Sequence, residues 1–166
     1  TLSDRERKRL EKYLIDNICL CNVSILLCLY TGLRIGELCG LQWKDIDFRR
    51  GCLTVSKTVQ RISLGNGKTV ISIDTPKTDS SVRVVYIPLF IIEMLKKFRK
   101  KPDIFILSDR EKPTEPRTLQ HKFKKILAVC KISDISFHAL RHTYATMCVE
   151  KQFDIKTLSE LLGHSD

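Results

Sequence analysis

Several features that would classify this chain at once are missing from its 166 residues. No apolar run approaches the ~18–20 residues of a membrane-spanning helix, and the most apolar stretch, residues 23–30, predicts a buried helix instead. The first ten residues are mostly charged, unlike a secretory signal. Internal repeats and linkers of disorder-like composition are missing too. With 43% hydrophobic and 29% charged residues, the chain has the composition of one soluble globular domain.

The seven cysteines lack the spacing of a zinc site, because no C-x-x-C pair occurs among them. Their number is odd, and most of them, such as Cys19, Cys28, Cys39 and Cys148, stand among apolar residues. We interpret them as small buried hydrophobic residues in a reducing compartment. The sequence therefore predicts a cytoplasmic protein.

Acidic residues are scarce compared with basic ones, at 19 against 29, which gives a formal net charge of +10. This excess favours a polyanionic partner, with nucleic acid before a membrane surface. Part of it is concentrated in two runs, each of which would equally fit a solvated helix face. The runs are Lys96, Lys97, Arg99, Lys100 and Lys101, and Lys122, Lys124 and Lys125.

The pattern of apolar residues predicts a mainly α-helical chain. A capping box at residues 3–6 begins the first helix. Gly32 ends the second helix, which places Arg34 in a tight corner before the third. The first predicted helix begins near residue 4, and the next two cover about residues 17–31 and 35–41. Helix resumes after Pro88, and further helices include residues 119–130, begin within residues 136–148, and run from Asp154 to Gly163.

Three segments rich in β-branched residues, 52–60, 69–75 and 82–87, predict strands. Turns at residues 65–67 and 76–80 would join them into a three-stranded antiparallel meander with Lys77 at a hairpin tip. Several polar residues fall at helix ends or at this tip, where a fold displays side chains. They are Arg34, Lys77, His138, Arg141 and His164.

The segment SFHALRHTYATMC, residues 136–148, places a His-x-x-Arg-His pattern at the start of a helix. At ~3.6 residues per turn, His138 and Arg141 fall on one flank of an apolar stripe and can point into the same cleft. The stripe consists of Leu140, Tyr144, Met147 and Cys148.

Three interpretations of this helix start are open. His138 and His142 have the spacing of a metal-binding pair, but an arginine lies between them and no acidic residue does. Alternatively, His138 caps the helix and Arg141 is a surface charge. The third interpretation is an anion site, because the planar fork of arginine can bind two oxygens. A lysine at a hairpin, such as Lys77, suits proton donation to a leaving oxygen.

Four stretches of the chain follow the order and spacing of a known family. They are TGLRIGELCGLQWKDID (residues 31–47), TPKTDSSVRVVYIP (75–88), FHALRHTYAT (137–146) and LSELLGHSD (158–166). With them the chain resembles the catalytic domain of the tyrosine recombinases, the phage integrase family, over nearly its whole length. The resemblance is strongest to integrases of conjugative transposons and phages. It implies an α+β catalytic fold, mainly helical with a small three-stranded antiparallel sheet, in a single domain over residues 1–166.

The resemblance also implies a catalytic set of five residues. Arg34 and Arg141 would hold the non-bridging oxygens of a DNA phosphate, and Lys77 would protonate the leaving 5′-hydroxyl, so that these three also bind DNA. His138 would assist proton transfer, and His164 would contact the scissile phosphate.

Two neighbours of this set have supporting roles. Glu37 matches the acidic position that supports Arg34, although an ordinary ion pair within one helix would explain it equally. His142 matches no catalytic position, and we expect it to form local hydrogen bonds and brace its helix.

The implied reaction is site-specific DNA recombination without metal or cofactor. A tyrosine hydroxyl attacks a DNA phosphate, forms a 3′-phosphotyrosyl bond and frees a 5′-hydroxyl, and a second strand then reverses the step. The covalent intermediate conserves the energy of the DNA phosphodiester bond, and the positively charged side chains of the site take the place of a metal ion. The expected partners are double-stranded DNA at recombination sites and further copies of the full-length protein in a tetramer, with no membrane.

The nucleophile that the resemblance implies would follow His164, where the chain has only two more residues. Tyr144 is predicted to be a core residue, and Tyr13, Tyr30 and Tyr86 do not match the position. We therefore expect this chain alone to form no phosphotyrosyl bond. We also expect the N-terminal DNA-binding domains and the nucleophile segment of the family to lie outside it.

Two alternatives share the same scaffold. One is an enzyme like the type IB topoisomerases. Residues 31–41 and 137–146 are closer to the recombinases, which argues against this alternative. The other is a non-catalytic DNA-binding protein, for which positive charge alone would suffice.

Overall fold

The computed structural model describes residues 1–75 and 82–152, which form six helices and two small antiparallel sheets. The predicted α+β class, mainly helical with a small antiparallel sheet, is confirmed. The helices are α1 (Asp4–Asp16), α2 (Leu20–Thr31), α3 (Ile35–Cys39), α4 (Leu89–Lys96), α5 (Pro116–Val129) and α6 (His138–Glu150). The strands are β1 (Ile46–Asp47), β2 (Cys52–Val55), β3 (Thr58–Gly65), β4 (Lys68–Asp74) and β5 (Arg83–Tyr86). The predicted last helix, 154–163, lies outside the described residues.

Helix α2 forms the centre of the core because it is apolar on every side. Helices α1, α4 and α6 pack against it, and α1 contributes the fully buried Leu10 and Leu14. Each side chain of this size stabilises the fold by about 1.5–3 kcal/mol when it leaves water. In α5, Phe123 packs edge-to-face on Phe137, with 5.1 Å between ring centroids. The α5 side of the core thus reaches the residue immediately before α6.

Two predicted helix ends are confirmed. At the start of α1, the Ser3 hydroxyl accepts from the Glu6 N–H, and the Glu6 carboxylate accepts from the Ser3 N–H at 2.9 Å. At the end of α2, Gly32 adopts the left-handed conformation with φ 66°, and its N–H donates to the Cys28 carbonyl at 2.9 Å. Because a side chain would strain that conformation, glycine allows the chain to turn directly from α2 toward Arg34.

The predicted start of α2 at residue 17 is wrong. Asn17 instead ends α1, since both its N–H and its side-chain amide donate to the Tyr13 carbonyl. Helix α2 begins three residues later, at Leu20. Cys19, predicted to be buried, is therefore exposed ahead of the helix, whereas Cys28, Cys39 and Cys148 are buried as expected.

The predicted three-stranded meander is also wrong, because residues 52–60 form two strands that belong to different sheets. Strand β2 pairs with β1 and β5, and β3 pairs only with β4 within the described residues. The break falls at residues 56–57, where the Lys57 ammonium donates to the Gln42 side chain at 2.6 Å and lies 3.1 Å from Asp45. A run of β-branched residues continues through the break, so composition alone does not show it.

Helix α3 packs closely against the start of β3 and helps to hold β3 in a different sheet from β2. A Cβ on Gly36 would lie 2.5 Å from the Thr58 hydroxyl and 2.6 Å from the Val59 carbonyl, so only glycine permits this close approach. The predicted turn at residues 65–67 is confirmed: all three have positive φ and join β3 to β4. The second predicted turn, 76–80, lies outside the described residues. Among the helices that are described, none is both long and apolar enough to cross a bilayer.

Candidate functional site

Two arginines, Arg34 and Arg83, bind one buried carboxylate, that of Glu37, and Arg141 lies close enough to interact with it electrostatically. Arg34 immediately precedes α3, Arg83 is the first residue of β5, and Arg141 lies in the first turn of α6. The left-handed turn at Gly32 makes this arrangement possible, because it starts α3 next to the end of α2. Glu37, in the first turn of α3, then faces back toward Arg34.

The Glu37 carboxylate accepts four hydrogen bonds, two on each oxygen. Oε2 accepts from the Arg34 backbone N–H at 2.8 Å and from Arg83 Nη2 at 2.9 Å. Oε1 accepts from Arg83 Nη1 at 2.8 Å and from Arg34 Nη1 at 3.2 Å. With 6% of its surface exposed, Glu37 is more than a surface ion pair within one helix.

The charge of Glu37 is stabilised despite its burial. Burial alone would raise the pKa of this carboxyl, but the hydrogen bonds and charge of Arg83, with those of Arg34, outweigh it and lower the pKa below the ordinary 4.5. Glu37 is therefore ionised at neutral pH. Its two arginine partners are held by a full negative charge.

Arg141 is buried, with 4% of its surface exposed, so the interpretation of this residue as a surface charge is wrong. Its Nη1 donates to the Gly32 carbonyl at 2.7 Å. Burial lowers the pKa of Arg141 to about 10, with repulsion from Arg34 and Arg83 adding to the effect and Glu37 opposing it. The guanidinium remains charged at neutral pH. The carbonyl at the end of α2 fixes its direction.

Among residues 1–75 and 82–152, the charges in this cluster do not cancel, because one carboxylate interacts with three guanidinium groups. The Arg34 side chain is 43% exposed, and its Nη2 and Nε atoms make no hydrogen bond to any residue in 1–75 or 82–152. Chemically, this arrangement suits an oxyanion such as a phosphate, which arginine can bind through two oxygens.

The two histidines of α6 contact each other at its start. His138 and His142 are both exposed, and their rings meet edge-to-face with 4.5 Å between centroids. This contact gives His142 a bracing position beside His138. Within the described residues, no group of three or more potential ligands is placed to hold a metal ion.

Two predicted site residues, Lys77 and His164, lie outside the described residues. Arg34, Glu37 and Arg141 are brought together, and His138 lies one turn before Arg141 on the same helix. The sequence motifs of Arg34, Glu37 and Arg141 thus lead to one cluster.

None of the four tyrosines is part of this cluster. Tyr144 is half-buried and outside the hydrophobic core, so its assignment as a core residue is too strong. Burial and a hydrogen bond with Cys148 raise its pKa. Tyr30 donates to the Glu11 carboxylate at 3.0 Å, and burial, together with that bond, raises its pKa to about 12.

The sequence did not single out Arg83. It stands inside the second stretch that carries the family resemblance, at a position that also looks like an ordinary strand residue. A polar residue at the start of an otherwise apolar strand, RVVY, was the only local signal. Its partner is 46 residues away in the chain, a separation that no local pattern indicates.

The two basic runs are partly neutralised. Lys96 pairs with Glu93, Lys100 with Asp109 and Lys124 with Asp134, all on exposed surfaces. The Arg99 guanidinium lies over the Phe48 ring, 4.9 Å from its centroid. Part of each run therefore fits the solvated helix face that the sequence left open.

Comparison with known proteins gives one consistent result. The family model described as "Phage integrase family" matches residues 3–166. A XerC-like tyrosine recombinase of Caldanaerobacter subterraneus subsp. tengcongensis is 37% identical over an alignment 187 positions long, which covers all of this chain and 47% of the relative. The ICEBs1 integrase of Bacillus subtilis is 29% identical over 147 residues, covering 81% of this chain and 39% of the relative. The chain thus spans about half the length, or less, of these curated relatives.

Solved structures agree with the sequence matches. The Tn1549 transposon integrase in complex with transposon right end DNA has a TM-score of 0.80 and 28% identity, with 99% of this chain and 58% of that chain covered. The XerA recombinase has a TM-score of 0.72 and 25% identity, with 99% and 56% covered.

Proposed function

Since the chain belongs to the phage integrase family of tyrosine recombinases, we propose that it is the single catalytic domain of a site-specific DNA recombinase or integrase of a mobile element or phage. The observation that carries this proposal is that Arg34 binds the buried Glu37 and Arg141 lies within electrostatic reach of both, with more positive than negative charge among the described residues of the cluster. A DNA phosphate is the ligand that this charge and the family membership favour together.

In this proposal the two arginines bind the non-bridging oxygens of the scissile phosphate. The Gly32 carbonyl orients Arg141, and Arg34 has guanidinium N–H donors that are not hydrogen-bonded to Glu37. Their charge stabilises the negative charge that grows on the phosphate during transfer, without a metal ion or other cofactor. Because both groups are fixed before DNA binds, no reorganisation is needed as the charge develops.

The remaining members of the catalytic set handle protons and the nucleophile. Lys77 protonates the leaving 5′-hydroxyl, His138 assists proton transfer and holds the phosphate, and His164 contacts the phosphate. Glu37 supports Arg34. The nucleophile is a tyrosine hydroxyl, and the intermediate is a 3′-phosphotyrosyl bond.

The partners follow from the same reaction. Joining two DNA duplexes requires several active sites, and we propose a tetramer of the full-length protein on double-stranded DNA in the cytoplasm. The structure of the Tn1549 transposon integrase in complex with transposon right end DNA supports the DNA partner. The net charge of +10 predicts an affinity for DNA that falls steeply as salt rises.

The experiment that tests the proposal uses the complete product of the reading frame that contains this chain. It is incubated with nicked suicide duplexes drawn from the DNA around its gene, and covalent protein–DNA adducts are counted on denaturing gels. We expect adducts with the wild type and a loss of about 100–1,000-fold in their rate of formation in Arg34→Ala and Arg141→Ala.

A matched control is Arg61→Ala, which removes an arginine that pairs with Glu115 outside the cluster. This variant should form adducts at the wild-type rate. Normal adduct formation by Arg141→Ala would refute the proposed role of the cluster. Relaxation of any supercoiled plasmid, without a preferred site, would instead assign the topoisomerase activity, and DNA binding without adducts would assign a non-catalytic protein.

A further inference from the structure

Arg83 makes the strongest contact with Glu37 but has no role in the proposed reaction. Its two terminal nitrogens donate to the two oxygens of the carboxylate at 2.8 and 2.9 Å. Both side chains are largely buried, with 14% of Arg83 and 7% of Glu37 exposed. A planar guanidinium that meets both oxygens in this way fixes the plane of the carboxylate as well as its distance.

The contact between Glu37 and Arg34 is weaker by comparison. Only one terminal nitrogen of Arg34 reaches Oε1, at 3.2 Å, and that oxygen already accepts from Arg83. The other guanidinium nitrogens of Arg34 donate no hydrogen bond to Glu37. Arg83 thus occupies the sites on Glu37 that Arg34 would otherwise take.

From this difference, and resting on the function proposed above, we infer that Arg83 is a positioning residue of the recombinase site. It binds both oxygens of Glu37, so that Glu37 orients the Arg34 guanidinium through a single side-chain hydrogen bond and leaves its other donors available for the scissile phosphate. Without Arg83, the Arg34 guanidinium binds both oxygens of the buried Glu37 carboxylate and is no longer available to the DNA phosphate.

Arg83 is not itself placed to touch the phosphate. Both of its terminal nitrogens are engaged with Glu37, and its Nε is buried without an acceptor in the described part of the chain. Arg83 also begins β5, whose neighbour β2 holds it through pairing of Arg83 with Val55. The sheet β1–β2–β5 therefore supplies the rigid element that keeps Glu37, and through it Arg34, in place.

The test compares Arg83→Lys and Arg83→Gln with the wild type, in the complete product of the reading frame. Lysine keeps the charge but lacks the planar pair of parallel N–H donors that fixes the plane of the Glu37 carboxylate, so we expect it not to rescue. At saturating protein, the rate of covalent adduct formation should fall about 10–100-fold, the usual effect of losing a group that orients a site residue. DNA affinity should change little, because Arg83 makes no DNA contact.

The control is Arg7→Gln. Arg7 is similarly buried, with 19% of its side chain exposed, and bridges Asp4 and Glu11 on α1, away from the cluster. It should lower thermal stability without changing the rate of adduct formation. A wild-type rate in Arg83→Lys would overturn the inference, because charge alone would then suffice.

A second measurement does not depend on DNA cleavage. Phenylglyoxal modifies exposed guanidinium groups, and mass spectrometry reports the rate at Arg34. We expect Arg34 to react severalfold more slowly in both Arg83 variants, as it moves onto Glu37. If the wild type forms no covalent adduct with DNA, the proposed function is wrong. The reactivity of Arg34 toward phenylglyoxal then tests the positioning role of Arg83 by itself. An unchanged reactivity in Arg83→Lys, which retains the buried charge needed for folding, would overturn the inference.

Discussion

Replacement of Glu37 by alanine should destabilise the fold strongly. Arg83, with 14% of its side chain exposed, would lose both hydrogen-bond acceptors and its counter-charge. Removing one partner of a buried ion pair costs about 3–5 kcal/mol. For a chain of this size, that corresponds to a fall of roughly 6–20 °C in the midpoint of thermal unfolding. Glu37→Gln keeps the shape and one acceptor oxygen, and should cost less, about 1–3 kcal/mol.

The assay is urea unfolding followed by the fluorescence of Trp43, the single tryptophan, which is buried. A matched control is Glu93→Ala, which removes an exposed carboxylate that pairs with Lys96 and should cost within about 1 kcal/mol. A loss below about 1 kcal/mol in Glu37→Ala would refute the conclusion that the arginines depend on this carboxylate.

The effect of Glu37 should also depend on pH. Its pKa is lower in the folded chain than the ordinary 4.5, so its ionisation stabilises the fold above that pH. The stabilisation is lost as the pH falls through the folded-state pKa. The difference between the wild type and Glu37→Gln should therefore be full at neutral pH and shrink below about pH 4.5. A difference that stays constant in acid would contradict this account.

Three further predictions concern the framework of the site. Gly36→Ala should cost about 1–3 kcal/mol in urea unfolding, because the added carbon meets the Val59 carbonyl at 2.6 Å; Gly40→Ala, whose nearest contact would be 3.3 Å, should cost less. Ser3→Ala removes the capping box of α1 and should cost about 0.5–2 kcal/mol, whereas equal stability would show that the cap is unimportant. Tyr30 should ionise near pH 12, so the advantage of the wild type over Tyr30→Phe should be full below about pH 10 and vanish as the pH rises toward 12, which titration of tyrosinate absorbance alongside unfolding can check.

The elements that depend on local chemistry were predictable from the sequence. The capping box at the start of α1 and the glycine at the end of α2 are signals carried by one to four adjacent residues. Helix α5 was found through its apolar period. The position of Arg34 in a corner followed from Gly32. These predictions succeeded because the determining contacts lie within a few residues of each other.

The features that the sequence did not reveal depend on contacts between distant residues. The break between β2 and β3 is fixed by Lys57 with Gln42 and Asp45, and by the approach of Gly36. Neither contact changes the β-branched pattern of the segment. For Arg83, burial against a carboxylate on α3 gives the residue its importance, and only the fold brings the two together.

The division of the strands into two sheets gives the hairpin β3–β4 a separate use. Its base is fixed, since Val59 is buried against α3. Its far end is open, and added side-chain carbons at Gly65 and Gly67 would meet nothing within 4 Å. Extra length at such a tip costs little free energy. The turn at residues 65–67 is therefore a natural attachment point for a fluorescent label, from which distances to DNA can be followed while the arginine cluster remains intact.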